Sequence, residues 1–178
     1  MKIGILSDSH DNISLLCAAV ADAKQRGAEA VLHCGDIVAP STLQKLQVYG
    51  LPVHAIHGNN TGDLYTLSKL SHAPDSVIHY YGQDAALILD GRHIFLVHYP
   101  HYAEAMAVTG DYDLVCYGHT HFALVERQAN IKGTQTVLCN PGTVGDVGAP
   151  ATYVFGDLQT MAFEILPVNE KLKMKTEK

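Results

Sequence analysis

Three apolar runs near the N-terminus, Lys2 to Ser7, Ala28 to His33 and Val53 to His57, alternate with two stretches of helical spacing, and this alternation constrains the fold most. In the first stretch, Asn12 to Arg26, the residues Leu15, Leu16, Ala19, Val20 and Ala23 recur on one helical face. Asn12 suits its cap and Gly27 its stop. The second starts at Pro40-Ser41, carries Leu43, Leu46 and Gln47, and ends at Gly50. A β-α-β-α-β beginning of this kind predicts an α/β fold built on a parallel sheet.

Beyond it lies a polar stretch with a short helix over Asp63 to Leu70, then the runs Val77 to Tyr81, Ala85 to Leu89 and His93 to Val97. Asp90-Gly91 between apolar alternations is a hairpin signal, so these strands are expected to be antiparallel. A helical piece over Tyr102 to Val108 leads to a strand at Leu114 to Tyr117. Short strands follow at Ala123 to Arg127, Thr136 to Cys139, Thr152 to Phe155 and Met161 to Leu166. The β-rich second half predicts a two-sheet β-sandwich with flanking helices. With 178 residues, one domain over 1–168 is expected, followed by a charged, flexible C-terminal tail over 169–178.

Hydrophobic residues make up 47% and charged residues 17%, which excludes a disordered chain. No apolar run approaches the roughly 18 to 20 residues that span a bilayer, so no membrane association is expected. The opening reaches Asp8 before a signal peptide fits, and a cytoplasmic location is expected. A net charge of −6 argues against a nucleic-acid coat, leaving nucleic acid only as a substrate. Cys17, Cys34, Cys116 and Cys139 form no C-x-x-C pair and suit buried, reduced thiols. The 11 histidines form no tract, so the question is which of them converge.

Five predicted strands end in loops holding possible metal ligands: Asp8-Ser9-His10, Gly35-Asp36, Gly58-Asn59-Asn60, His98, and Gly118-His119-Thr120-His121. In open α/β sheets ligands bind at the carboxyl ends of strands. In an extended segment residues i and i+2 point the same way, so Asp8 with His10, and His119 with His121, can each offer two ligands. Ions about 3.5 to 4 Å apart can share a carboxylate, and Asp36, behind a glycine, is the natural bridge. Imidazole, carboxylate and one amide oxygen suit Mn, Fe, Zn, Ni or Co better than Ca or Mg, and the absence of thiolate disfavours a structural zinc knot. Two divalent ions against two carboxylates leave a local positive balance that attracts an anion, with phosphate esters leading.

Asp8 and Asp36 could instead be Asx-turn formers, but turn chemistry does not explain the recurrence at five strand ends. His33, His54, His79 and His93 in strands, and His72 at a helix end, are read as packing or surface residues. His57 and His101 lie near the site, open between substrate contact and solvent. Asn140 is read as a turn former with a supporting hydrogen bond. Gly142-x-x-Gly145-x-x-Gly148 lacks the Gly-Lys-Ser/Thr of a phosphate-binding loop and is read as a flexible loop.

Taken in order, Asp8-x-His10, Gly35-Asp36, Gly58-Asn59, His98 and Gly118-His119-x-His121 resemble the metal-binding motifs of the calcineurin-like metallophosphoesterases. Asn140-Pro141-Gly142-Thr143 resembles the family's later turn, so the likeness runs over about residues 1–145. The opening looks most like the small bacterial and archaeal phosphodiesterase branch, which is also similar to the retromer subunit that scaffolds partners. The resemblance implies one metal on Asp8, His10, Asp36 and His121, and another on Asp36, Asn59, His98 and His119. Mn2+ is the first choice for both, before Fe, Ni, Co or Zn. It implies a phosphodiesterase in which a water or hydroxide between the ions attacks phosphorus in line, acting on a small phosphate ester, with a homo-oligomer possible. Asp36 and His98 are the catalytic ligands in this reading. Many members carry His, a leaving-group acid, where this chain has Asn60, which cannot donate a proton in that way. His101 is the alternative donor. A phosphomonoesterase and a non-catalytic metal-binding scaffold are the competing functions.

Overall fold

The computed structural model describes residues 1–169. The charged tail expected over 169–178 therefore lies, from position 170 onward, outside the described residues. The strands are β1 (Lys2–Leu6), β2 (Ala30–His33), β3 (Val53–Ala55), β4 (Ile78–Tyr80), β5 (Asp84–Leu89), β6 (Arg92–Val97), β7 (Leu114–Cys116), β8 (Leu124–Ala129), β9 (Gln135–Asn140), β10 (Thr152–Asp157) and β11 (Ala162–Pro167). The helices are α1 (Ile13–Gln25), α2 (Pro40–Gln44), α3 (Leu64–Ser71) and α4 (Pro100–Thr109), with a 3₁₀ turn over Lys45–Tyr49.

Two mixed sheets result, one in the order β11-β10-β1-β2-β3-β4 and the other β5-β6-β7-β9-β8. In the first, β1 to β4 run parallel, while β10 pairs antiparallel with β1 and β11 with β10. In the second, β6, β7 and β9 run parallel between antiparallel edges β5 and β8. This is the two-sheet α/β sandwich expected from the sequence.

Each sheet is covered on both faces, which is why its central strands read as unbroken apolar runs. Ile5, Leu32, Ile56, Leu96 and Leu114 fill the layer between the sheets. Leu16 and Val20 of α1 pack with Val31 and Val53 on the outer face of the first sheet. Ala103 and Ala107 of α4 pack on Phe95, Val97 and Val115 of the second. Asn12 caps α1 by accepting from the Leu15 backbone N–H, a contact worth about 1 kcal/mol.

The run at Val77 to Tyr81 departs from the antiparallel expectation. As β4 it pairs parallel with β3, bringing Ile78 opposite Val53. The hairpin signal at Asp90-Gly91 governs only β5 and β6, and α3 supplies the crossover that a parallel neighbour needs. The helix expected over Tyr102 to Val108 begins earlier, at Pro100, whose fixed φ suits a first helical position. Because β1, β2, β3, β6, β7 and β9 run parallel within their sheets, their carboxyl ends gather at one end of the sandwich. Backbone bonds fasten the loops there: the Asp8 N–H donates to the Gly35 carbonyl at 3.0 Å, and the Gly118 N–H to the His98 carbonyl at 3.1 Å.

Candidate metal centre

All seven candidate ligands named from the sequence meet at that end. The donor atoms of Asp8, His10 and His121 lie within 4.8 Å of one another, as do those of Asp8, Asp36 and His98. Asp36 sits between the two sides: Oδ2 is 3.8 Å from His10 Nε2, and Oδ1 is 3.3 Å from His98 Nε2. On the far side the Asn59 amide oxygen is 3.1 Å from His98 Nε2 and 2.8 Å from His119 Nδ1.

The i, i+2 pairs do face the cleft together, but not through extended backbone. Asp8 (φ 54°), His10 (φ 42°), Asp36 (φ 53°), His119 (φ 70°) and His121 (φ 64°) all adopt left-handed conformations. The strands have ended, and sharp turns rather than a pleat aim the side chains inward. Such conformations cost non-glycine residues about 1 to 2 kcal/mol each, strain that surrounding structure must hold. It is held by bonds from a second ring of residues. Thr143 Oγ1 donates to the Asp8 carbonyl, and the Gly145 N–H donates to the same oxygen. Asn140 Nδ2 donates to the Gly118 carbonyl and to Thr120 Oγ1, which is the supporting role read for it.

The polar atoms are arranged for a cation. Asp8 is fully buried, yet its Oδ1 accepts no hydrogen bond among the described residues, although His121 Nε2 lies 3.1 Å away. His10 Nε2 and His121 Nε2 face each other at 3.4 Å. A buried carboxylate oxygen left unpaired costs several kcal/mol, and a divalent ion bound between these atoms removes that cost. Space is reserved as well: a methyl group on Gly58 would collide with Asp36 Oδ1 and the His98 ring, and one on Gly118 with Ser7 Oγ and Asp8 Oδ2. The donor set of imidazoles, carboxylates and one amide fits divalent metal ions. His121 Nδ1 approaches the Val147 carbonyl at 2.6 Å and His98 Nδ1 the Cys34 carbonyl at 2.8 Å, which fixes the tautomers that leave each Nε2 free to ligate.

Two residues and one segment have roles the sequence did not disclose. Asn60 grips the bridging carboxylate, its backbone N–H donating to Asp36 Oδ1 at 2.8 Å and its side-chain amide to Oδ2 at 2.7 Å. His33 lies behind the site with Nε2 3.2 Å from Ser9 Oγ, while its Nδ1 accepts from the Gly35 N–H. Burial first and the neighbouring His98 second push its pKa down to about 3. A histidine ending a strand buried on both faces is a signal for such a role, because its ring nitrogens need partners there. Of the segment Gly142 to Gly148 read as a flexible loop, residues 142–145 are buried and the Val144 N–H donates to the Ser7 carbonyl, while residues 146–148 are exposed.

His57 bonds the Tyr80 hydroxyl through Nδ1 at 2.6 Å, and burial followed by His98 lowers its pKa. His101 is exposed at the start of α4, and ring contacts connect it to the ligands through Tyr99. His54 stacks on His79 and Tyr81 at the β3–β4 edge, as the packing reading has it.

The calcineurin-like phosphoesterase superfamily domain matches residues 1–161. Phosphodiesterase MJ0936 of Methanocaldococcus jannaschii is 29% identical over 146 residues, covering 80% of this chain and 83% of that protein. A solved structure described as a novel archaeal phosphodiesterase superimposes with a TM-score of 0.83 at 25% identity, covering 94% of this chain and 99% of that one. Vps29 of Entamoeba histolytica, crystallised with zinc, shares the fold alone, with a TM-score of 0.62 at 13% identity, covering 95% of this chain and 100% of that one. Since the family's domain takes in every strand-end loop of the cleft, the chain belongs to the calcineurin-like phosphoesterase superfamily and is a phosphoesterase hydrolase.

Proposed function

We propose that the chain is a binuclear metal-dependent phosphodiesterase, with Mn2+ the first choice of metal. The observation that carries this reading is the Asp36 carboxylate between two ligand sets, one oxygen toward His10 and the other toward His98. Asp8, His10, Asp36 and His121 would hold one ion, and Asp36, Asn59, His98 and His119 the other. When bound, the pair supplies Lewis acidity toward phosphoryl oxygens and a more acidic water. The chain's own residues do the positioning. Asn60 keeps both Asp36 oxygens oriented, and Thr143 and Asn140 hold the strained loops that aim the Asp8 and His119 sides.

Diesters are favoured over monoesters by charge. None of the loops 7–12, 34–40, 56–63, 98–101, 117–123 and 140–149 contains Lys or Arg. A singly charged diester needs less compensation than a monoester dianion, and the ions can supply it against Asp8 and Asp36. The residue after Asn59 is an amide, so no titratable side chain stands there to protonate a poor leaving group. His101, exposed at the rim, is the candidate donor. The relatives named as phosphodiesterases support the same substrate class. Four unpaired cysteines support a reducing, cytoplasmic setting, and no described helix is long and apolar enough to cross a membrane.

The test is hydrolysis by the Mn-loaded chain of bis(p-nitrophenyl) phosphate, p-nitrophenyl phosphate and glycerol phosphate. Turnover should fall in that order. Equal turnover of glycerol phosphate would contradict the diester reading, and no turnover of any substrate with two ions bound would favour a non-catalytic scaffold. Loss of glycerol phosphate turnover alone in His101→Ala would identify that residue as the proton donor.

A further inference from the structure

We propose that Tyr99, with His101 and Tyr102, forms a subsite for a planar aromatic ester group of the substrate. The inference rests on the phosphodiesterase reading and names the kind of ester that the cleft selects. Tyr99 directly follows the ligand candidate His98 and precedes Pro100, which restricts the preceding residue to extended backbone; Tyr99 has φ −89° and ψ 135°. Its backbone is therefore restricted, and its ring meets the His98 and His119 rings edge-on. The ring centroid lies 5.3 Å from that of His98 at an interplanar angle of 75°, and 5.1 Å from that of His119 at 61°. Outward, the Tyr99 ring is 5.9 Å from His101 and 6.2 Å from Tyr102, and the rings of His101 and Tyr102 are 4.1 Å apart.

The result is a continuous run of rings from the ligand side of the cleft to solvent. Tyr99 is half-buried and makes no hydrogen bond through its hydroxyl among the described residues, while His101 is exposed and Tyr102 is 50% exposed. An aromatic group bonded to a phosphoryl held at His98 and His119 would start within reach of Tyr99 and continue along the exposed rings. Aromatic pairs gain by offset or edge-to-face contact beyond the area they bury, whereas a saturated ring of similar size does not. The absence of Lys and Arg from the cleft loops fits this picture, because recognition of the organic part then falls to rings rather than charge.

The Mn-loaded chain should be titrated calorimetrically with phenylphosphonate and cyclohexylphosphonate, which share charge and approximate size but differ in planarity. Phenylphosphonate should bind about 2- to 10-fold more tightly. Tyr99→Leu should reduce that ratio to near one, while Tyr99→Phe and a control outside the ring array, Tyr65→Leu, should retain it. Bound Mn is measured first for each variant. If Tyr99→Leu loses metal, Tyr102→Ala, which leaves the rings touching His98 and His119 intact, decides by a partial loss of the ratio. A ratio near one in the parent, or one unchanged in both Tyr99→Leu and Tyr102→Ala, overturns the subsite. Turnover of bis(p-nitrophenyl) phosphate on the same preparations separates the two readings. Turnover without phenyl preference removes the subsite alone, and phenyl preference without turnover removes the phosphodiesterase reading alone.

Discussion

The two sides of the cleft differ in how far the protein satisfies its own polar atoms. On the Asn59 side, the amide oxygen accepts from His119 Nδ1 at 2.8 Å, while His98 Nε2, left bare by the bond of Nδ1 to the Cys34 carbonyl, faces it at 3.1 Å, and no charged group other than the shared Asp36 belongs to the set. On the Asp8 side, a fully buried carboxylate oxygen accepts no hydrogen bond among the described residues, and two imidazole nitrogens confront each other at 3.4 Å. With a neutral amide where the other side has a second carboxylate, the Asn59 side offers a cation less negative charge. The Asp8 side, with two carboxylates in reach and an unpaired oxygen, should hold its ion the more tightly.

The largest expected effect comes from removing what the sides share. Asp36→Ala should lower turnover by about 10³-fold or more and cost both ions affinity, whereas His10→Ala should affect chiefly the Asp8 side. Metal content after dialysis, measured beside turnover, checks this. Equal losses from the two substitutions would dissolve the distinction between shared and private ligands.

Next in size, His98→Ala and His119→Ala should each reduce turnover about 10²-fold or more while leaving the Asp8-side ion bound, because two-metal chemistry needs both. Melting curves in chelator should show the folding cost directly, with the metal's own stabilisation removed. His119, exposed, should cost little stability, and His98, buried and bonded to the Cys34 carbonyl, should cost more. Asn60→Ala should be milder, weakening metal binding about 10- to 100-fold by freeing Asp36 Oδ2 from its side-chain amide while the backbone bond to Oδ1 remains.

The smallest effect is in pH. His33 titrates near 6.5 when unfolded and at about 3 when folded, so between those values the unfolded chain binds more protons. Its contribution to stability is complete above pH 6.5 and is lost as pH falls toward 3, at no more than about 1.4 kcal/mol per pH unit. His54, pushed down to about 4 by burial and then His79, acts with the same sign from the β3–β4 edge. In chelator the melting temperature should fall between pH 7 and 5, and His33→Asn should flatten that fall. An unchanged slope in His33→Asn would remove His33 as its source.

Much of this was legible in residue order. The alternation of apolar runs and helical spacing over the first three strands, and the ligand types at five strand ends, pointed to the sheet and to the cleft. What stayed hidden was geometry that depends on partners distant in sequence. The side-by-side facing of Asp8 and His10 comes not from an extended backbone but from left-handed turns, held at Asp8 by Thr143 and Gly145, with Thr143 135 residues away. Asn60 was legible as a missing proton donor but not as the grip on Asp36. The run Val77 to Tyr81 carries no mark of strand direction in its composition, and only the packing of α3 makes it parallel.

If two ions share Asp36, the Asp8 side should bind its ion first. Calorimetric titration of the metal-stripped chain with Mn2+ resolves this order. Two binding events of unequal affinity are expected, the tighter lost in His121→Ala and the weaker lost in His119→Ala. A single event, or two events that neither substitution changes, would contradict the account.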